Sequence, residues 1–173
     1  MKSIKKILSA AFAIIVASTS VNAQSGASAT ATATIISPIS IVKDVDMDFG
    51  NVAVSTLAGG IVTLDPSPAG TRTPNGGGGV TLPAVTGTVS AAQFTVSGQA
   101  SFTYDISLPV SATLSNGGNS MVADNFTSSV ATGTLDASGI ETFYVGADLN
   151  VNAAQAPGVY TTSSPFFVIV SYN

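Results

Sequence analysis

The sequence predicts an all-β fold built from short antiparallel strands. Three observations carry this expectation. Residues 28–34 read Ser-Ala-Thr-Ala-Thr-Ala-Thr, the period-two alternation of a strand with one polar and one apolar face. Short apolar runs recur along the chain between clusters of Gly, Pro and Asn. Beyond residue 23 no stretch of helical period is long enough to make a helix. Many short strands divided by turn residues point to a sandwich or a barrel.

The first 23 residues have the form of a secretory signal peptide. Lys2, Lys5 and Lys6 supply a positive start, and residues 7–16 form an apolar run broken only by Ser9. That run is too short to span a bilayer. Val21-Asn22-Ala23 then offers a cleavage site, and with no Cys after it a lipid anchor is excluded. The mature chain is expected to begin at Gln24 and to be exported, to the cell surface, the extracellular space or the periplasm. Residues 24–173 are expected to form a single domain.

Past the signal only Lys43 and Arg72 remain as bases against nine acids, a net charge of −7. Two bases cannot neutralise a row of phosphates, so nucleic-acid binding is excluded. A basic face for anionic membrane is also missing. There is no Cys and no His, so the chain lacks disulfides, thiolate metal sites, a Cys nucleophile and the usual base near neutral pH. At this length a core can form without such staples.

The alternation of residues 28–34 persists through Ile35, Ile39, Ile41, Val45, Met47 and Phe49, which share parity with Ala29, Ala31 and Ala33. Extended segments broken near Pro38 and Lys43 are therefore expected, with Pro38 at an edge or crossover. Residues 52–54 and 61–64 are short apolar runs. Residues 65–79 read as one long loop, rich in Pro and Gly and ending in four glycines. Strands are then expected over 80–89, 93–96, 101–108, 121–126, 133–135, 141–151 and 159–172, with a strong turn at 115–119. The final run, Phe166 to Tyr172, is apolar on both parities, as in a strand covered on both faces.

Candidate chemistry is sparse. Asp44, Asp46 and Asp48 have the spacing of calcium ligands, but Phe49 stands where an EF-hand loop needs Gly and Ser55 where it needs Glu. A solvated polar face is the expectation. The glycines at 76–79 are followed by Val80, Thr81 and Leu82 rather than the Lys and Ser or Thr of a phosphate loop, so a hairpin tip is expected. Asp65, Asp105, Asp124 and Asp148 could meet in space as carboxylate pairs, yet no motif points to them. No Ser lies in a Gly-x-Ser-x-Gly elbow. No catalytic residue, cofactor or metal is expected, and no small-molecule substrate is evident.

Several segments together resemble a known family. They are Ala-Thr-Ala-Thr-Ala-Thr-Ile-Ile-Ser-Pro-Ile-Ser-Ile at 29–41, Met-Asp-Phe-Gly-Asn-Val at 47–52, Phe-x-Val-x-Gly at 94–98, and Tyr-Asp-Ile-Ser-Leu-Pro at 104–109. Phe-Tyr-Val-Gly-Ala at 143–147, Gly-Val-Tyr at 158–160 and Val-Ile-Val-Ser-Tyr-Asn at 168–173 complete the set. The chain resembles the secreted bacterial domain-of-unknown-function family 4402. The Phe-Gly-Asn-Val element and the ending are also similar to spore coat U proteins and archaic chaperone–usher pilins. That second resemblance implies an Ig-like, pilin-like antiparallel β-sandwich lacking one strand, which the N-terminal extension of another subunit supplies. Those pilins carry a disulfide, which this chain does not.

The resemblance implies a non-enzymatic surface structural protein, a fimbrial or filament-type subunit assembling by β-strand addition. Ala29, Ala31, Ala33 and Ile35 would enter an acceptor groove beside Val168, Val170 and Tyr172. Residues 24–36 would then be a donor strand, or else the first strand of the chain's own sheet. The implied partners are another copy or a related surface subunit, and a periplasmic chaperone. Two rival expectations are a monomeric, adhesin-like binding module that closes its own sheet, and a small outer-membrane barrel. Eleven aromatics past residue 23 and no Trp suit a barrel's aromatic girdles poorly.

Overall fold

The computed structural model describes residues 24–173, so the expected signal peptide lies outside the described residues. The chain divides into two units, Met1–Thr34 and Ile35–Asn173. In the first, residues 24–34 are exposed and belong to no strand. In the second, the strands are β1 (Ser40–Val45), β2 (Ala53–Val54), β3 (Gly60–Leu64), β4 (Arg72–Asn75), β5 (Val80–Thr81), β6 (Ala92–Ser97), β7 (Thr103–Ser107), β8 (Ser111–Asn116), β9 (Asn119–Ser128), β10 (Thr132–Thr134), β11 (Ile140–Val151), β12 (Thr161–Thr162) and β13 (Ile169–Tyr172). No helix occurs among the described residues, and every strand pair is antiparallel. The fold is all-β, with antiparallel sheets forming a sandwich.

The twelve-residue β11 is the spine. Its odd positions Phe143, Val145, Ala147, Leu149 and Val151 are all buried, as a strict period of two requires. One edge pairs β6 along residues 140–145 and β3 along 147–151; the other edge pairs β9. The order β1-β6-β11-β9-β8-β12 makes the large sheet, with β3 and β4 off its side. Gly146 sits where β3 hands over to β6. A Cβ there would strike the Leu64 carbonyl and Pro66, so the position needs glycine for close approach.

Two core clusters lie along this spine. One gathers Phe94, Val96, Phe143 and Val145 under Tyr104 and Leu135, beneath the small sheet β10-β7-β13. Phe94 and Phe143 face each other across β6 and β11 with ring centroids 5.6 Å apart. The other cluster gathers Val62, Leu64, Ala123, Ala147, Leu149 and Val151, and its lid is Phe49 and Val80. Residues of β7, β10 and β13 do not belong to it.

Strands 93–96, 101–108, 121–126, 133–135 and 141–151 appear where the alternation places them, within a few residues. Five segments differ. Residues 28–34, expected as an alternating strand, form none: alternation fits a segment for pairing, but no strand bonds to it among the described residues. The expected loop 65–79 contains β4, whose Pro74 pairs opposite Val62; β4 has a neighbour on one side only, so proline's missing donor costs nothing there. Of residues 80–89 only Val80–Thr81 is strand. Pro83 and a left-handed Gly87 (φ +67°) break the rest, which is tied down by Asn51 through its backbone N–H to Thr86 O at 2.7 Å. The run 159–172 is split by Pro165 into β12 and β13. Conversely β8, with only Ala112 and Leu114 apolar, carries too weak a signal to be expected, yet it closes a tight hairpin with β9 through Gly117-Gly118.

Tyr104 is fully buried, and its hydroxyl has no hydrogen-bond partner among the described residues. Burial pushes that hydroxyl above the usual phenol range, and the nearby Glu141 carboxylate pushes the same way. Gly133 lies directly opposite, and a Cβ on it would overlap the Tyr104 ring. Gly133→Ala should therefore cost about 1–3 kcal/mol, as overpacking does. Tyr104→Phe should cost nothing or raise the melting temperature, because it removes a buried polar atom without a partner. Urea unfolding of the two variants checks both.

Candidate functional site: an apolar groove beside an open strand edge

The small sheet covers only one half of β11. Over the other half the inner face of the large sheet stays partly open, as a groove of about 860 Å³. Its floor is a row of cross-strand neighbours, in which Ala112 faces Ala123, Leu114 faces Met121 and Leu149 faces Ala123. One wall is the segment 46–54, which presents Met47, Phe49, Val52 and Val54; the other carries Tyr160 and Phe166.

Phe126 reaches the groove through a local device. Asn125 adopts a left-handed backbone (φ +48°), and the β9–β11 register slips by one residue at that point. This bulge inverts the parity of β9, turning Phe126 to the side already occupied by Met121 and Ala123. Its ring then meets Phe166 at 5.0 Å. Polar groups also line the groove, among them Asp46, Asp48 and Asn51; on the other side the Tyr160 hydroxyl donates to Ala156 O at 2.8 Å and accepts from Gln155 Nε2 at 2.9 Å.

Past Phe166 in the groove wall the chain runs into β13, the end strand of its sheet, bonded among the described residues to β7 alone. The Asn173 N–H donates to Thr103 O at 3.3 Å, so 173, 171 and 169 are the bonded positions toward β7. The main-chain groups of Val168, Val170 and Tyr172 consequently face the open edge. Their side chains point inward and pack on the Phe94–Phe143 cluster. Phe167 (75% exposed) and Ile169 (62%) point outward. The apolar character on both parities thus reflects one packed face and one bare face, not two covered faces.

The other candidate residues fall as follows. Ala29, Ala31 and Ala33 lie in the exposed segment before Ile35, which is itself 93% exposed. Asp44, Asp46 and Asp48 each serve a different partner: the Thr95 hydroxyl at 2.6 Å, Lys43 Nζ at 2.5 Å and the Gly50 N–H at 2.7 Å. Asp124 and Asp148 are cross-strand neighbours, but amides separate them. Asn150 donates to Asp124 at 2.9 Å, while Asn125 and Thr63 donate to Asp148 at 3.0 and 2.6 Å. Among the described residues, no three His, Cys, Asp or Glu side chains gather to hold a metal.

Arg72 is a site residue that sequence reasoning passed over. From β4 its Nη1 donates to Phe49 O at 2.5 Å and Asn51 O at 2.9 Å, fastening the 46–54 wall. As one of only two bases past residue 23 it was visible, but its targets are backbone atoms more than twenty residues away, which carry no sequence signature.

Fold and groove together define a β-sandwich domain with an uncapped edge strand. A family model described as Domain of unknown function (DUF4402) matches residues 39–172, and the chain belongs to that family. No curated protein and no solved structure matches the chain.

If Arg72 holds the wall, Arg72→Lys should lose one of its two carbonyl bonds and cost about 1.5–3 kcal/mol, since hydrogen bonds from charged groups are the stronger kind. Thermal unfolding measures the loss. An apolar dye such as ANS should also bind Arg72→Lys more than wild type, because Phe49 is freed from the groove.

Proposed function

We propose that this protein is an exported, non-enzymatic structural subunit that assembles by β-strand addition, with residues 28–36 of one copy as donor. The observation that carries the reading is the unpaired edge of β13 beside an apolar groove. An exposed apolar edge is a template for another strand, and main-chain bonds to Val168, Val170 and Tyr172 would supply affinity while alternate side chains fill the groove. The donor has the matching period, with Ala29, Ala31, Ala33 and Ile35 on one parity. The similarity of several motifs to spore coat U proteins and archaic chaperone–usher pilins supports the same reading. An edge of this kind would need cover before assembly, which is the role of a periplasmic chaperone.

A second reading has an observation of its own. A groove of about 860 Å³ is of ligand-pocket size, and three alanines fill such a space poorly, since burying Ala contributes much less than the roughly 1.5–3 kcal/mol of Leu or Val. A monomeric surface binding module would use the groove for a bulkier apolar ligand. The open order of the large sheet, with β1 and β12 at its ends, argues against a membrane barrel, which must close.

Ala31→Asp separates the two. On the strand-addition reading wild type forms multimers that need heating in detergent to separate, while the variant stays monomeric with unchanged circular dichroism. A wild type that is monomeric at all concentrations in size-exclusion chromatography sinks this reading and favours the binding module.

A further inference from the structure

At the end of β13 away from the groove, Tyr172 makes a clamp. Its hydroxyl donates to Ser37 O at 2.9 Å and accepts the Gln99 N–H at 2.6 Å. Gln99 completes the arrangement by accepting the Ser37 N–H on Oε1 at 3.3 Å. Gly98 leaves room for the phenol, since a Cβ there would overlap the Tyr172 hydroxyl. Phe102 packs edge-on to the Tyr172 ring at 5.7 Å and fixes its direction. Ser37 thus has its carbonyl and its amide held by residues 135 and 62 positions away. The Tyr172 ring also packs on the Phe94–Phe143 cluster, but its hydroxyl bonds go to Ser37 and Gln99 outside the core and the groove.

We infer that this clamp fixes where the N-terminal segment leaves the domain, and so forces strand addition to run between copies, head to tail; the inference rests on the strand-addition reading above. Ser37 is held beside Tyr172, at the C-terminal end of β13, whereas the groove opens beside Phe166, three residues before β13 begins. Six residue steps separate the two, roughly 20 Å at strand rise. A segment leaving Ser37 and running back along its own β13 would travel from Tyr172 toward Phe166 in the N-terminal direction of both strands. It would therefore pair in parallel, the weaker geometry per residue. To pair antiparallel instead, residues 28–33 need a connector that first spans the whole stretch from Tyr172 back to Phe166. With Ser37 clamped only residues 34–36 are available, about 10 Å of extended chain. Released from the clamp, residues 34–39 would reach roughly 20 Å, just enough.

A second copy meets no such restriction. Its segment arrives free and can take the antiparallel direction in the groove. Because exit point and groove lie at opposite ends of β13, the contact joins two different patches and repeats from copy to copy. Such a heterologous contact that does not close produces an open filament.

The test uses the mature full chain and three variants, Tyr172→Phe, Gln99→Ala and Ala31→Asp. Each is unfolded, returned to buffer at one concentration and analysed by size-exclusion chromatography with light scattering, circular dichroism and elastase digestion of residues 24–36. Tyr172→Phe keeps the ring and should shift the multimer-to-monomer ratio about tenfold toward monomer, the loss of roughly one to two hydrogen bonds. Those monomers should resist elastase in the N-terminal segment, because it lies in their own groove, whereas Ala31→Asp monomers should be trimmed. Gln99→Ala should shift the ratio in the same direction. Folded Tyr172→Phe and Gln99→Ala proteins that multimerise as wild type does overturn the clamp, and strand addition survives if Ala31→Asp is monomeric. Should Tyr172→Phe fail to fold, Gln99→Ala alone decides. A monomeric wild type overturns both.

Discussion

A mismatch in length between floor and lid organises this molecule. β11 buries five odd positions in line, from Phe143 to Val151. The small sheet β10-β7-β13 covers the first of them, with Tyr104 and Leu135 packed onto Phe143 and Val145. It does not extend over Leu149 and Val151, whose cover is the irregular segment carrying Phe49 and the strand residue Val80. The groove is what remains of the uncovered floor. One long strand thus supplies the stability of one half of the domain and the open surface of the other.

The surroundings of the groove keep that opening in shape. Arg72 reaches two backbone carbonyls of the 46–54 wall, and this side-chain tie to β4 adds to the wall's own backbone bonds at Asp48, Asn51 and β2. The Asn125 bulge swings Phe126 onto Phe166, and both rings line the groove. Charge plays a small part. The Lys43–Asp46 pair is exposed and contributes little.

What could be read in the sequence depended on how local each feature is. The odd-position pattern 143–151 is local and strict, and the strand follows it. The antiparallel all-β fold follows from many such patterns together. β4 was hidden because Pro74 removes a donor that an edge strand does not use. β8 was hidden because Ser-Ala-Thr-Leu-Ser-Asn is nearly polar, its stability coming from β9 opposite. The groove had no local signature at all, since it depends on which strands of the lid stop short. The Tyr172 clamp joins Ser37 to the last strand across 135 residues, a pairing that no spacing rule announces. Residues 28–34 are the reverse case: their alternation is the clearest in the chain, yet they form no strand, because alternation shows what a segment can pair with and not that a partner is present.

The central claim is that the open edge of β13 is where another strand adds. Hydrogen exchange at the Val168, Val170 and Tyr172 amides, followed by mass spectrometry of the C-terminal peptide, tests it directly. These amides should exchange rapidly in monomeric Ala31→Asp and be protected at least a hundredfold, on the order of a few kcal/mol of opening energy, in wild-type multimers. Rapid exchange at all three positions in a stable multimer would show that copies associate through some other surface, and would contradict the account.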